Sequence, residues 1–195
     1  MGRSVNRILS RAVKVAGSLA IAGGALVAAA MPAGAAPPTQ AWGISAGGFI
    51  HINPVALATF FNTPAVSAAF VYPGFINTGG IMDRASGTQA YSQVGSPKVY
   101  LFSQVDQLNA DMASSTCRIG FFGTEGDATI QNGSITITGE PSIPLPRNPG
   151  INQHIFLPGI VVTLNRQTVV AGIRTVTAIY LNGFGQNLSI GTSRC

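Results

Sequence analysis

The sequence predicts an all-β protein: a single β-sandwich domain, jelly-roll-like, over 42–195, behind a signal peptide over 1–35 and a short flexible stretch over 36–41. Three observations carry the fold class. Apolar residues recur in twos, and no segment shows a helical stripe. Most of the resulting runs are short and rich in Val, Ile and Thr. They are separated by turns drawn from 24 Gly and 12 Pro, the pattern of a sandwich or barrel. A length of 195 residues suits one domain. Only 9% of residues are charged, against about 25% in a typical chain. That excludes a disordered polyelectrolyte, a coiled coil and a long solvated helix.

The net charge of +5 suggests a nucleic-acid or anionic-membrane partner until its distribution is read. Arg3, Arg7, Arg11 and Lys14 form a basic head, and an uncharged run from Val15 to Ala30 follows. Ala33 and Ala35 then supply an A-x-A cleavage site, so the cut falls between Ala35 and Ala36. A cut after Ala36 would leave Pro37 just past it. The uncharged run is shorter than the roughly 20 residues that span a bilayer, and no Arg-Arg pair marks the twin-arginine route. Residues 36–195 keep seven basic side chains (Arg84, Lys98, Arg118, Arg147, Arg166, Arg174, Arg194) against six acids, a net charge of one. These charges are scattered singly along the sequence, which removes the case for nucleic acid.

Cys117 and Cys195 both lie in the exported part, and an even count there reads as a disulfide. Closing a loop of about 79 residues is worth roughly 4–5 kcal/mol in the chain-entropy picture. Intermolecular pairing through the terminal thiol is the alternative. Neither a lipidation site nor a redox C-x-x-C pair is present.

The strands follow in order. Trp42, Ile44 and Ala46, continuing through Phe49-Ile50-His51-Ile52, form the first. Ala128, Ile130, Ile135 and Ile137 alternate with polar residues. Asn132-Gly133 between them makes either a two-residue hairpin or a kink in one long strand. Prolines 141, 144, 146 and 149 make 140–150 a connection. Ile160–Leu164, Val169–Ala171 and Ile173–Leu181 read as strands buried on both faces. Asn182-Gly183 is a turn signal, and Leu188–Thr192 is the last strand. Pro54–Ile76 is apolar but interrupted by Pro and Asn, so it reads as a loop covered by the domain or, failing that, an exposed patch for a partner.

No constellation for chemistry stands out. Gly43-Ile44-Ser45-Ala46-Gly47 matches G-x-S-x-G, and Asp83 or Asp106 with His154 would complete a hydrolase order. The strand-to-helix elbow that such a serine needs is missing. His51 and His154 lie far apart in sequence and give no zinc spacing. Glu125, Asp127 and Asn132 lack the spacing of a calcium loop. Asp106 and Asp111, five residues apart, fall on opposite faces of a strand.

The C-terminal half carries a recognisable pattern. Cys117 closes a strand, Ile130–Gly139 and the proline-rich connection follow, and Leu164-Asn165-Arg166-Gln167 precedes Val176-Thr177-Ala178-Ile179-Tyr180 and the terminal Cys195. This resembles the choice-of-anchor P family of secreted and surface proteins of actinobacteria, as does the opening Ala41–Ala46. Thr177 stands where that family has Asn, and Tyr180 where it has His. The resemblance implies an extracytoplasmic β-domain of unknown activity with no catalytic residues to carry over, and it favours the kinked strand at Gly133. With the export signal and low charge, it points to a secreted, non-catalytic cell-envelope or matrix protein without cofactor or metal. The expected partners are cell-wall or envelope components, or further copies of the chain. The alternative is a carbohydrate- or ligand-binding module using Phe60, Phe61, Tyr72 and Phe75, and a serine hydrolase through Ser45 is the third reading.

Overall fold

A computed structural model describes residues 39–195. The expected signal peptide, with its expected cleavage site at Ala35 and Ala36, lies outside the described residues. Every regular element among those described is a strand. The chain opens with β1 (Gln40–Gly47), β2 (Ile52–Val55) and β3 (Ala58–Thr59). Five pairs follow: β4 (Ala65–Ser67) with β5 (Phe70–Tyr72), β6 (Ile76–Thr78) with β7 (Ile81–Ala85), β8 (Gln89–Gly95) with β9 (Lys98–Tyr100), β10 (Gln107–Asn109) with β11 (Met112–Gly120), and β12 (Gly123–Gln131) with β13 (Ser134–Thr136). The last elements are β14 (Ile143–Pro144), β15 (Gln153–Leu157), β16 (Ile160–Val170), β17 (Ile173–Gly183) and β18 (Gln186–Arg194).

Each of the five pairs is one long strand broken near its middle. One sheet runs β12-β11-β8-β7-β4 and another β14-β13-β10-β9-β6-β5, so the broken halves keep the same neighbours in both. The breaks fall on one line, at Ala68-Ala69, Gly79-Gly80, Ser96-Pro97, Ala110-Asp111 and Asn132-Gly133. The residues explain the crease. Ser96 and Asn132 have φ of 43° and 48°, and Pro97 cannot donate to a ladder. Backbone bonds still cross the line, from Gly79 N to Gly95 O at 2.7 Å and from Ser96 N to Asp111 O at 2.8 Å, so no polar penalty accumulates there. The Asn132-Gly133 question is answered by the pairing: β12 pairs with β11 and β13 with β10, the kinked strand rather than the hairpin.

The seven-stranded sheet runs β15-β16-β17-β18-β1-β2, with β3 also on β1. Its β1, β17 and β18 pack on β7, β8, β11 and β12. Two rows make the centre of this sandwich. Leu164, Ile179, Ile190 and Ile44 are aligned across one sheet, and Ile81, Val94, Ala113 and Ile130 across the other. All eight are buried, and each large one stabilises the fold by about 1.5–3 kcal/mol. Consecutive hairpins build the creased layer and β15 to β18, and β18 pairs back with β1, so each layer is largely a meander where a jelly roll would exchange strands between sheets. Cys117 and Cys195 are bonded across the sandwich, with Cα atoms 5.6 Å apart at a sequence separation of 78.

Several local expectations change. β1 begins at Gln40, and Thr39 and Ala41 are already buried. Phe49 to His51 is a turn, after which β2 folds back on β1. The turn expected at Asn182-Gly183 lies at Phe184-Gly185, because Gly183 pairs with Gln186. Both turn residues have positive φ, 50° and 69°, as the tight hairpin twist requires. Val169 and Val170 are exposed at a strand end rather than buried on both faces. Pro54–Ile76 is not a covered loop: it forms short edge strands with Phe60, Phe61, Val66 and Val71 exposed.

Candidate functional site

The residues weighed for catalysis do not meet. Ser45 sits within β1, where its Oγ accepts a hydrogen bond from Trp42 Nε1 at 3.1 Å. His154 lies on β15, four strand spacings away in the same sheet, or about 19 Å at 4.8 Å per strand. Its Nδ1 pairs with Thr163 Oγ1 at 3.0 Å. His51 is exposed and pairs with Asn53 Oδ1 at 3.1 Å. Gly43 of the G-x-S-x-G match has a packing reason: a Cβ there would collide with Ile81. Asp106 holds a loop, accepting from Ser103 Oγ at 2.8 Å and Thr138 N at 2.7 Å. The Thr138 bond, with that of Ser103, draws its pKa below the usual carboxylate value. Asp111 accepts from Asn132 Nδ2 at 2.7 Å, which holds Asn132 at the crease, away from Glu125 and Asp127. Among the described residues no group of three His, Cys, Asp or Glu side chains could hold a metal.

Asp83 is the exception in burial. It is fully buried between the sheets beside Ser92. Burial raises its pKa to about 7, against the smaller opposing effects of Ser92 and the backbone of Gln93 and Gly43. Neither carboxylate oxygen has a well-formed hydrogen bond. No histidine lies beside it, and the site is closed to substrate.

The block that carries the family resemblance is a structural network. Asn165 Nδ2 donates to Pro149 O at 3.0 Å. Gln167 Nε2 donates to Gly126 O and to Asn165 Oδ1, both at 2.9 Å. Arg174 Nη1 donates to Gln167 Oε1 at 2.6 Å, and Asn152 Oδ1 accepts from Gln167 N at 2.8 Å. These bonds tie β16 to the 149–152 loop and, across the sandwich, to β12. Tyr180 supports Arg166, whose guanidinium lies 4.0 Å from the ring centroid.

What the fold does build is an apolar cleft. Past the crease the bent sheet diverges from the seven-stranded one, and a cavity of about 240 Å³ opens between them. Phe75, Val99, Tyr100 and Leu101 line one wall, and Ile160, Leu181, Phe184 and Leu188 the other. Ile50 and Gln186 close the side. Gln186 Oε1 accepts from Ile50 N at 3.0 Å, which fixes the amide and leaves the buried Nε2 without an acceptor. Phe102 and Phe184 meet edge to face at 6.1 Å at the mouth. The cleft has predominantly apolar walls, the composition of a small-ligand site. Sequence reading missed it because its lining comes from segments scattered from Ile50 to Leu188; the Gly183-Phe184-Gly185 run was the one local sign.

The aromatic residues expected to bind sugar do not form one platform. Phe60 and Phe61 lie at the disulfide end, and Tyr72 and Phe75 at the opposite end beside the β5–β6 turn. A scan against protein-family models, a search of curated proteins and a search of solved structures each found no match to this chain.

Proposed function

We propose that this protein is a secreted, non-catalytic domain of the cell envelope that works by binding, with the apolar cleft as its ligand site. The apolar cleft carries the reading. A cavity of 240 Å³ exceeds the roughly 150 Å³ that accommodates benzene. The ligand class is therefore a small, largely apolar molecule. The disulfide supports export, since such bonds persist in oxidising compartments. The sequence pattern at the N-terminus and the resemblance to choice-of-anchor P proteins support a surface setting.

Octanol is a suitable probe. Titration calorimetry is expected to show saturable binding that Leu101→Trp, which fills the cleft, abolishes. Equal octanol binding by wild type and Leu101→Trp would remove the cleft from consideration.

A further inference from the structure

We propose that the disulfide end of the sandwich docks on a lipid bilayer, with phenylalanine-bearing tips entering the apolar interface and arginines meeting anionic headgroups. Phe121 and Phe122 form the two-residue turn between β11 and β12, and each is 97% exposed. Their rings touch each other edge to face at 5.2 Å. Phe60 and Phe61 make a second edge-to-face pair at 5.2 Å, and Val169 and Val170 are exposed beside the β16–β17 turn.

These tips share one end. The Cys117–Cys195 bond joins the two sheets there. Arg174 Nε donates to Thr124 Oγ1 at 3.3 Å, which links the β16–β17 tip to the β11–β12 tip. Ile119 N donates to Thr88 O at 2.8 Å, and a Cβ on Gly87 would stand 3.8 Å from Phe60.

Solvent-exposed aromatics in a turn add little to folding, and turns favour polar residues. Their partner must accept separate convex projections. A protein interface needs about 800 Å² of complementary surface per partner, and here the polar turn Ser86-Gly87-Thr88 stands between the apolar tips. A fluid interface admits each wedge independently, to a depth of about 5–10 Å. The hairpin ladder reaches Gly120 and Gly123, so few unpaired backbone groups enter with the rings.

Charge agrees with this. Arg84, Arg118, Arg174 and Arg194 lie at this end against Glu125, Asp127 and the buried Asp83, whereas Lys98, Arg147 and Arg166 are balanced elsewhere by Asp106, Asp111 and Glu140. A recess of about 350 Å³ beside the Phe60-Phe61 tip is lined by Thr63, Arg84, Ala85, Ser86, Gln89 and Tyr91, with Arg84 placed to meet an anionic headgroup.

The test places a tryptophan reporter at each end of the full chain in a Trp42→Phe background. Phe122→Trp reports the disulfide end, and Phe184→Trp the other. With phosphatidylglycerol/phosphatidylcholine vesicles, the reporter at 122 is expected to shift to shorter wavelength and be quenched by brominated acyl chains, and the reporter at 184 is not. Phosphatidylcholine alone, or Arg84→Gln, reduces the response. The Phe121→Ser, Phe122→Ser double variant is expected to partition at least about tenfold more weakly with an unchanged unfolding midpoint. No shift at 122, an equal shift at 184, or undiminished binding by the double variant overturns the proposal. A concentration-dependent shift at 122 without lipid also overturns it, in favour of a second copy of the chain covering the tips.

Discussion

The two ends of the sandwich use apolar residues in opposite ways. At the disulfide end the sheets are held together by Cys117–Cys195 and by the Gln167–Arg174 network, the space between them is filled, and the surplus aromatics project outward. Beyond the crease the sheets diverge, and apolar side chains line a cleft, with Phe49, Phe156 and Phe184 exposed around that end. The difference follows from five breaks on one line across a single bent sheet. A charge-poor domain can thus present apolar surface in two forms, convex where it is closed and concave where it is open.

Breaking the covalent closure is the most severe way to test this contrast. Replacing both Cys117 and Cys195 with Ser is expected to cost about 2–5 kcal/mol in urea unfolding. Hydrogen exchange should then accelerate first at Arg174 and Cys195, whose backbones pair with each other, and least around the cleft. Uniform acceleration would show that the two ends do not behave as separate regions.

Asp83 gives the next largest effect, and it belongs to the closed half. Its folded pKa of about 7 lies above the ordinary value of 3.8, so the folded state binds the proton more tightly than the unfolded chain. Its contribution is favourable at low pH and is lost as pH rises from about 4 through 7, by at most roughly 4 kcal/mol. Denaturant unfolding at pH 5 and pH 8 should show this decline, and Asp83→Asn should flatten it. An unchanged slope in Asp83→Asn would assign the pH dependence to other groups.

Gly43→Ala tests how tightly the closed half is packed. The added methyl meets Ile81, and a loss of about 1–3 kcal/mol is expected in urea unfolding. Leu101→Trp at the open end acts instead on octanol affinity, which reverses the pattern of Gly43→Ala.

The sequence made the fold class legible because alternation survives burial on one face: Ala128, Ile130 and Ile135 all turn inward. The disulfide was legible from the cysteine count and the expected export signal. The crease was visible at one point only, Asn132-Gly133, since a line across five strands depends on pairings far apart in the chain. Val169 and Val170 misled because β-branched residues look alike in a core and at an exposed strand end. The burial of Asp83 could not be read, since one acid between Met82 and Arg84 gives no sign of which face it takes. The cleft escaped for the same reason as the crease: it belongs to the space between sheets, not to any run of residues.

Mapping octanol onto the backbone by amide chemical shifts tests the binding account most directly. The expected result is saturable shifts confined to the cleft, at Ile50, Phe75, Leu101, Leu181 and Gln186, with Ser45 and His154 unmoved. Shifts that fail to saturate, or that centre on residues outside the cleft, would contradict it.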